Sequence, residues 1–303
     1  MLKLSIIIVN YNTKGFLREL LNSLCETKYN FSFEIIVVDN NSQDGSSEML
    51  HKDYPQVRVI NNDKNVGFAR ANNLGVRLSQ GEYILLLNPD TKIIDDSLQK
   101  LVSFLDAHAE AAVVAGRVVY PDLTDQGVAR MFPTPMNAIF GRNSLFTKVF
   151  PHNKYSRRYL ASRRHQSDEP FEVDWVSGAC LMARKSVLEK VGLLDEGFFM
   201  YWEDADLCYR IKQKGWKIYC VPDAIVVHYE GKSSEASSSL LIVQFNKSVY
   251  HYYRKHHIKH SFELINLLAI FCLTLRALVQ LTANACKVSM KRNIDRRYYN
   301  EGF

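Results

Sequence analysis

Short apolar runs alternate with amphipathic segments over the first 120 residues of the chain. Residues 4–9 form a continuous apolar run rich in β-branched side chains, as a strand buried on both faces requires. Apolar positions then recur at helical spacing over 16–24. Strands that alternate with helices indicate βαβ units, an α/β fold and a mostly parallel sheet. The continuing alternation predicts strands over 34–38, 57–60, 83–87 and 112–119, and helices over 46–51, 68–78 and 98–105.

The periodicity weakens between residues 121 and 172, a stretch with five prolines. We predict a long, partly helical excursion there, because long loops in compact domains are usually functional or disordered. It carries a basic cluster formed by Lys154, Arg157, Arg158, Arg163 and Arg164. The pattern then predicts strands on both sides of Ser177-Gly178, a helix over 204–214, and two short strands over 217–221 and 225–228.

The apolar stretch 262–281 is interrupted by Glu263, Asn266, Arg276 and Gln280. Its longest part without a charge, 264–275, has 12 residues, whereas a spanning helix needs about 20. Basic residues flank the stretch on both sides. Three interpretations remain open: a helix that lies in the membrane interface, a helical hairpin packed on the main domain, or a helix that spans the membrane.

Charge separates the two ends of this 303-residue chain. Hydrophobic residues make up 47% and charged residues 23%, which excludes collagen-like and wholly disordered proteins. The net charge is +6, yet residues 241–303 alone hold 10 Lys and Arg against 3 Asp and Glu. We therefore predict a near-neutral domain over 1–240 and a basic, amphipathic helical region over 241–303. This distribution disfavours nucleic acid as a partner and favours an anionic membrane surface.

The six cysteines include no C-x-x-C pair, so we expect neither a metal cluster nor a disulfide framework. We predict reduced, mostly buried thiols in a cytosolic protein. The apolar run at the N-terminus is too short for the core of a signal peptide. It is better explained as a buried strand.

Polar residues follow the predicted strands at the edge where parallel sheets bind ligands. Asn10 and Tyr11 follow the first strand, Asp39 the second, and Asn88 and Asp90 the fourth. A carboxylate such as Asp39 can accept hydrogen bonds from a base or a ribose, or it can simply form the turn DNNSQDGS. Asp90 could hold a divalent cation through oxygen, or it could lead into the next helix.

Two further segments carry candidate chemistry. In NVGFARANNLG, Gly67 permits close backbone approach, and Arg70 could face a diphosphate or solvent. In FFMYWEDADLCYR, Glu203, Asp204 and Asp206 follow an aromatic run. Acidic residues complement a helix dipole, but three carboxylates behind aromatic walls also suit general-base chemistry on a sugar hydroxyl. His228 leads a Gly/Ser loop and could be structural or a ligand.

These motifs together resemble glycosyltransferase family 2, of the GT-A fold, over residues 3–235. The resemblance is carried by LSIIIVNYN, DNNSQDGS, NVGFARANNLG, LLLNPDT, the block from WVSGAC to KQKGW, and HYEGKSS. It implies a Rossmann-like, mostly parallel sheet flanked by helices, followed by a helical membrane-associating extension. Its halves would bind the nucleotide sugar (1–120) and the acceptor (121–240). The closest resemblance is to bacterial rhamnosyltransferases of O-antigen, capsule or cell-wall polysaccharide assembly.

The resemblance implies a role for each matching residue. Asp204 would be the catalytic base, and Asp90 with His228 would hold Mg²⁺ or Mn²⁺. The acceptor would lie near Ser177, Gly178, Trp202 and Glu203. The donor nucleotide and its diphosphate would be bound by Asn10, Tyr11, Asp39, Asn65, Gly67, Arg70, Asn73 and Asn88. Asn88 stands where many members have Asp, which weakens the case for a strict metal requirement.

The sequence thus predicts an inverting glycosyltransferase, and the resemblance implies dTDP-rhamnose as its donor. The acceptor would be a saccharide or a polyprenyl-linked saccharide at the cytoplasmic face of the inner membrane, where the enzyme would be peripheral. A UDP-sugar donor and a non-catalytic sugar-binding or scaffold relative are the alternatives. The Gln-x-x-Arg-Trp motif of processive synthases is absent, which favours the addition of one sugar or few. A nucleotidyltransferase is disfavoured, because NYNTKG lacks its Gly-rich basic signature.

Overall fold

The apolar runs of the first 120 residues form the parallel part of one β-sheet in the computed structural model of the protein. The structure describes residues 2–132, 169–229, 238–258 and 264–300. The predicted basic cluster at 154–164 and most of the HYEGKSS loop lie outside these residues. The chain divides into two compact units. The first is Met1–Phe199 with Glu203–Ser233, and the second is Met200–Trp202 with Ser234–Phe303.

The central sheet has nine strands in the described residues. They are β1 (Leu4–Asn10), β2 (Phe33–Asp39), β3 (Arg58–Asn61), β4 (Tyr83–Leu87), β5 (Thr91–Ile93), β6 (Ala111–Val119), β7 (Phe171–Val173), β8 (Cys180–Arg184) and β9 (Lys217–His228). The order is β3-β2-β1-β4-β8-β6-β9-β5, and β7 also pairs with β9. Six strands point the same way, and β5, β7 and β8 run against them. The sheet is therefore mostly parallel, as predicted.

Helices cover the sheet. Those of the first unit are α1 (Lys14–Glu26), α2 (Ser46–Asp53), α3 (Phe68–Leu78), α4 (Ser97–Ala107), α5 (Lys185–Val191) and α6 (Glu203–Gln213). Leu17, Leu20, Leu21 and Leu24 of α1 are all buried, which confirms the helical spacing of the sequence. Every residue of β1 is buried, so this strand has helices or strands on both faces.

The strand predicted before Ser177-Gly178 is β7, which lies at Phe171–Val173. The sequence missed two features of the sheet. The short strand β5 falls below the length at which a periodic pattern can be recognised. The two strands predicted over 217–221 and 225–228 are one strand, β9, because the pairing with β6 shifts its register between Gly116 and Arg117. Gly116 makes this possible, since a side chain there would collide with the carbonyl of Ala224.

The second unit contains α7 (Ser238–His256) and α8 (Leu264–Asn300), which pack against each other. The polar residues that interrupt the apolar stretch of α8 face α7. The Tyr250 hydroxyl lies 3.1 Å from Asn266 Oδ1, and the Asn246 amide donates to Gln280 Oε1 over 3.0 Å. The Arg276 guanidinium lies 5.3 Å from the centre of the Phe245 ring. The polar residues that interrupt the apolar pattern of α8 are therefore explained by their contacts with α7.

The cysteines are less buried than predicted. Cys180, Cys208 and Cys220 are buried, and burial raises the pKa of each thiol to about 12. The other three, Cys25, Cys272 and Cys286, are exposed. All six are free thiols, as the sequence suggested.

Candidate active site

The first two strands end side by side at the predicted edge. Asn10 and Asp39 are register partners on β1 and β2, and the Asn10 amide donates to Asp39 Oδ1 over 2.7 Å. Both side chains are buried. Ser42 completes the group, because its hydroxyl donates to Asp39 Oδ1 and its backbone N–H to Asp39 Oδ2, at 2.6 and 2.8 Å. Asp39 therefore forms the turn, the plainer of the two interpretations of the sequence.

Tyr11 lies next to this buried group and is 43% exposed. The following residue, Asn12, has a left-handed φ of 54°, and its backbone N–H donates to Ser42 Oγ over 3.0 Å. The turn after β1 is thus tied to the turn after β2. An exposed aromatic ring held on such a fixed turn offers a surface on which a planar base could stack.

A close contact between two backbone segments of the first unit requires a glycine at position 67. Its φ is +87°, and a Cβ at this position would lie 2.5 Å from the Phe199 carbonyl oxygen. The same carbonyl accepts the N–H of Phe68, the first residue of α3, over 2.7 Å. Asn65 Oδ1 accepts the Gly67 N–H over 2.9 Å and closes the turn. Close backbone approach was predicted here, and the approaching group is the segment that precedes Glu203 and Asp204.

Arg70 and Asn73 of α3 bind the segment 194–196. The Asn73 side chain donates to Leu194 O and accepts from Leu194 N, at 2.8 and 3.0 Å. Arg70 Nε donates to Glu196 Oε2 over 3.0 Å. The Asn73 amide and the guanidinium groups of Arg77 and Arg70 lower the pKa of Glu196. Both predicted donor-binding side chains therefore have structural partners, which the sequence did not reveal.

Asn88, Asp90 and His228 meet at the end of β4. His228 Nε2 lies 3.3 Å from Asp90 Oδ1 and 3.5 Å from Asn88 Nδ2. Asp90 is 2% exposed, and its backbone carbonyl accepts the Tyr229 N–H over 2.9 Å. Residues 140 positions apart in the sequence are brought together because β5 pairs with the end of β9. The imidazole nitrogen and the carboxylate form a donor pair that suits a divalent cation.

Glu203, Asp204 and Asp206 begin α6, and each has a different environment. Asp206 is fully buried and is paired with Arg210 at 2.8 Å. Glu203 is buried, and its Oε2 has no hydrogen-bond partner. Burial, with the nearby charges of Asp204 and Asp206, raises the pKa of Glu203 well above its ordinary value. The acidic run is therefore more than a complement to the helix dipole.

Asp204 contacts the predicted acceptor segment. Its Oδ2 accepts the Gly178 N–H over 2.9 Å, and its Oδ1 accepts the Ala205 N–H over 2.7 Å. Loss of water raises the pKa of this carboxyl, while the two N–H donors and the charge of Arg130 oppose the rise. Ser177 is half-buried next to Gly178. The structure thus brings Ser177, Gly178 and Asp204 together, and their roles towards the acceptor remain predictions.

Trp202 belongs to the second unit. Its ring packs against Tyr252 and Tyr253 of α7, with centroids 5.1 and 5.9 Å apart. Tyr201 and Trp202 both have left-handed φ angles, of 70° and 72°. Such a pair of non-glycine residues is strained and persists only where the surrounding packing requires it.

A sequence model described as Glycosyl transferase family 2 matches residues 5–192. The match covers more than half of the chain and includes β2, β4 and the turns after β1 and β2, whereas Glu203, Asp204 and His228 lie beyond it. The chain belongs to glycosyltransferase family 2. The protein is therefore a glycosyltransferase, and its mostly parallel sheet is of the GT-A type.

The relatives of this glycosyltransferase include rhamnosyltransferases of polysaccharide synthesis. The chain is 28% identical to an N-acetylglucosaminyl-diphospho-decaprenol L-rhamnosyltransferase of Mycobacterium tuberculosis, over 82% of each chain. It is 26% identical to the rhamnosyltransferase WbbL of Escherichia coli K12, over 82% of this chain and 91% of that protein.

Two solved structures resemble the fold of this glycosyltransferase. The mannosyltransferase PcManGT of Pyrobaculum calidifontis, in complex with GDP-Man and Mn²⁺, has a TM-score of 0.58 and 16% identity, over 96% of this chain and 75% of that one. GalNAc-T7, with UDP, GalNAc and Mn²⁺, has a TM-score of 0.64 and 18% identity. The match covers 84% of this chain and about half, 48%, of the GalNAc-T7 chain.

Ser42, Gln126 and Glu196 support the site of this family 2 enzyme and were missed by the sequence reasoning. Ser42 lies in the turn motif DNNSQDGS, so a serine three residues after the aspartate was an available signal. Gln126 contacts His228, with 2.9 Å between its Oε1 and the imidazole Nδ1. No local pattern marks Gln126 or Glu196, because their partners lie more than 100 residues away.

The residues at Asp90 fit a divalent cation. A neutral imidazole with its proton on Nδ1 turns a lone pair towards the Asp90 carboxylate, and two lone pairs at 3.3 Å repel unless a cation lies between them. Among the described residues there is no cluster of three His, Cys, Asp or Glu side chains that could hold a metal ion. Cations that bridge diphosphates need only one or two protein ligands, since phosphate and water supply the rest.

Proposed function

We propose that the protein is an inverting rhamnosyltransferase that uses dTDP-rhamnose and a polyprenyl-linked saccharide acceptor. The rhamnosyl donor is supported by the names of the mycobacterial and Escherichia coli relatives and of a dTDP-rhamnosyl transferase of Shigella flexneri, which is 26% identical over 86% of this chain. The lipid-linked acceptor is supported by the name of the mycobacterial relative. The mechanism is supported by the Asp204 carboxylate.

The observation that carries the mechanism is the environment of Asp204. The carboxylate is half-buried at the first turn of α6 and is oriented by the Gly178 N–H at 2.9 Å. Its raised pKa makes it a stronger base than an ordinary surface aspartate. The Gly178 and Ala205 N–H donors and the charge of Arg130 stabilise its anionic form and limit the rise of its pKa.

The reaction is a single displacement. Asp204 accepts the proton of the acceptor hydroxyl while the hydroxyl oxygen forms a bond to the anomeric carbon. The bond from that carbon to the diphosphate oxygen breaks, and its electron pair leaves with dTDP. Attack from the face opposite the leaving group inverts the anomeric centre, so no covalent enzyme intermediate is needed.

Asp90 and His228 would hold the divalent cation, and Asn88 would contact the same site. When bound, a cation offsets the charge that develops on the departing diphosphate. Asn88 in place of a carboxylate lowers the negative charge of the site by one, so we expect weaker metal binding than in relatives with Asp at this position.

Glu203, Ser177 and Gly178 would bind the acceptor. Burial and the neighbouring charges raise the pKa of Glu203 well above its ordinary value, and in its protonated form the carboxyl can donate a hydrogen bond to a sugar oxygen. A proton on Glu203 would also remove a like charge from beside Asp204, which separates the binding role from the base role.

The donor nucleotide would bind at the ends of β1 and β2, with Tyr11 stacked on the base and Asp39 near its N–H groups. Asn65, Gly67, Arg70 and Asn73 would line the nucleotide and diphosphate. Arg70 is 58% exposed in its side chain and pairs with Glu196 across the surface, so it can exchange this partner for a phosphate at small cost.

The test is a transfer assay with dTDP-, UDP- and GDP-sugars, with and without Mn²⁺, and with the product anomer determined by NMR. We expect turnover with dTDP-rhamnose and inversion at the anomeric carbon. Turnover with a UDP-sugar alone, or retention of configuration, would contradict the proposal. Nucleotide-sugar binding without turnover of any donor would support the non-catalytic alternative.

We also propose that α8 lies in the cytoplasmic interface of the inner membrane. Asn266–Cys286 has a mean hydropathy of 1.6 over 21 residues and is only 11% buried, so by length and composition it could even span a bilayer. This corrects the expectation that the stretch is too short. A spanning position would put Arg276 near the bilayer centre at a cost of about 2.5–3.5 kcal/mol, whereas the interface keeps it hydrated.

The exposed side chains of α8 support this position. They recur at three- and four-residue spacing along one face, namely Leu264, Leu267, Leu268, Phe271, Leu275 and Leu278. Basic residues follow in the sequence at 287, 291, 292, 296 and 297, where they can contact anionic headgroups.

Vesicle flotation tests the membrane proposal. We expect the protein to float with vesicles that contain phosphatidylglycerol, and Leu268→Glu with Phe271→Glu to abolish flotation. Leu123→Glu is the matched control, because Leu123 is 69% exposed in the first unit. Extraction of the protein from cell membranes at alkaline pH is expected for a peripheral enzyme, and resistance to extraction would indicate a spanning helix.

A further inference from the structure

Gln126 is the buried residue behind His228, and all of its polar atoms are used. Its Nε2 donates to the His228 carbonyl over 2.7 Å and to the Val119 carbonyl over 3.3 Å. Its Oε1 lies 2.9 Å from His228 Nδ1. The side chain is 3% exposed, so water does not compete for these bonds.

These contacts determine which way the Gln126 amide points. A carbonyl oxygen can only accept, so the two carbonyls of Val119 and His228 require the NH₂ group of Gln126. The amide oxygen must then face His228 Nδ1. Because an amide oxygen is also only an acceptor, Nδ1 has to carry a proton. The neutral tautomer with its proton on Nε2 is therefore excluded.

In the excluded tautomer, Nε2 carries the proton and could not bind a cation on the side that faces Asp90. With the proton on Nδ1, the Nε2 lone pair of a neutral His228 is directed towards Asp90 Oδ1, 3.3 Å away. A metal ligand needs such a bare nitrogen, and the hydrogen bond made by the other ring nitrogen decides which nitrogen is bare.

The local fold holds Gln126 in this place. The chain reverses after β6, with the Tyr120 N–H donating to Thr124 O over 2.8 Å, and the Gln126 N–H then returns to Val118 O at 3.0 Å. Gly127 has a φ of +62°, and its N–H donates to Asp125 Oδ1 over 2.6 Å. The backbone of Gln126 is thus tied to the strand β6, which is itself paired with β9, the strand that ends at His228.

We infer that Gln126 is a positioning residue that holds the proton of His228 on Nδ1 and so presents Nε2, with Asp90, to the divalent cation of the transfer reaction. The inference rests on the proposed function, because it takes a cation at Asp90 as part of the reaction. Gln126 itself contacts neither the cation nor the substrates. Outer hydrogen-bond partners of this kind are worth about 10- to 100-fold in metal affinity.

The first measurement uses the metal-free protein labelled with ¹⁵N-histidine. Long-range ¹H–¹⁵N NMR distinguishes the two neutral tautomers, and the His228 signal is identified by its loss in His228→Asn. We expect the Nδ1–H form in the wild type. A neutral His228 with its proton on Nε2 would overturn the inference, whether or not any Gln126 variant folds.

The second measurement compares variants. Gln126→Met keeps the side-chain length but removes all three hydrogen bonds. Thr124→Ala is the control, since Thr124 is exposed in the same turn and its hydroxyl donates to Asp122 Oδ1. We expect Gln126→Met to admit the Nε2–H tautomer and to weaken Mn²⁺ binding, followed by the EPR signal of free Mn²⁺, about 10- to 100-fold. Thr124→Ala should change neither property.

The two proposals can fail separately. Wild-type tautomer and wild-type Mn²⁺ affinity in folded Gln126→Met would overturn the role of Gln126 and leave the proposed reaction intact. Mn²⁺ affinity that does not change in Asp90→Asn would instead contradict the metal site of the proposed function, whatever the tautomer of His228.

Discussion

Two regions of the candidate site contain buried carboxylates, and the two carboxylates differ in how many hydrogen bonds they accept. At the ends of β1 and β2, the two oxygens of Asp39 accept three hydrogen bonds from Asn10 and Ser42. At the start of α6, Glu203 keeps a buried oxygen without a hydrogen-bond partner. The protein itself supplies the hydrogen-bond donors of the Asp39 carboxylate. The buried Glu203 oxygen would be satisfied only by a proton or by a ligand.

This difference in hydrogen bonding supports the proposal that the first region serves to bind the nucleotide and the second to carry out the transfer reaction. A carboxylate that is saturated by donors is stabilised as an anion and fixes a turn, so it contributes to folding and to a preformed nucleotide site. A carboxylate that lacks such donors costs folding free energy and gains basicity. We therefore expect changes in the first region to affect stability, and changes in the second to affect transfer.

The largest effect is expected for Asp204→Asn. Asparagine still accepts the Gly178 N–H but cannot take a proton from the acceptor, so transfer should fall about 10³-fold. Calorimetry with dTDP should show unchanged donor binding. Asp122→Asn, at an exposed turn, is the control. A variant that kept near wild-type turnover would refute the assignment of the base.

Asp90→Asn should come next. Loss of the charge that holds the cation should lower kcat about 10²-fold, and part of the activity should return at high Mn²⁺. Thermal unfolding should change less than kcat, because asparagine keeps the size and shape of the aspartate side chain. Asp96→Asn is a suitable control, since the Asp96 side chain is 62% exposed in an ion pair with Lys100. Equal activity of the two variants would contradict the metal site.

Asp39→Ala should affect stability more than either change above. It leaves the buried Asn10 amide and the Ser42 donors without their acceptor, at a cost of about 2–3 kcal/mol of unfolding free energy. Urea unfolding measures this, with Asp63→Ala as an exposed control. If both variants unfolded alike, the saturated carboxylate would not be the support that the hydrogen bonds indicate.

The smallest effect is expected for Glu203→Gln, and it should depend on pH. Because the pKa of Glu203 is raised in the folded protein, the folded state holds a proton that the unfolded state releases above about pH 4.3. Stability is therefore lost as pH rises from there through the raised pKa. Glutamine cannot ionise, so the variant should gain a few degrees of Tm at pH 8 and less at pH 5.

Glu189→Gln provides the comparison for that experiment. Glu189 is exposed, with a side chain 61% accessible in an ion pair with Lys185. Its substitution should leave the pH dependence of Tm unchanged. A Glu203→Gln variant with the pH dependence of the wild type would show that the Glu203 carboxyl is ionised in the folded protein at neutral pH.

Local pattern predicted the parts of the site that lie at strand ends. Asn10 and Asp39 could be assigned to one edge because parallel strands share their carboxyl ends, and the apolar runs marked where each strand stops. The roles of Arg70 and Asn73 could not be derived in the same way. Their partners in the segment 194–196 are more than 100 residues away, and nothing in NVGFARANNLG refers to them.

The sequence by itself determined the alternation of strands and helices, the acidic start of α6 and the basic end of the chain, because each depends on neighbouring residues and on the periods of the two backbone conformations. Only the tertiary structure decided that Gln126 supports His228 and that Asn266, Arg276 and Gln280 face α7. These depend on how distant segments approach one another. A polar residue shows in the sequence that it needs a partner, but packing alone determines which partner it finds.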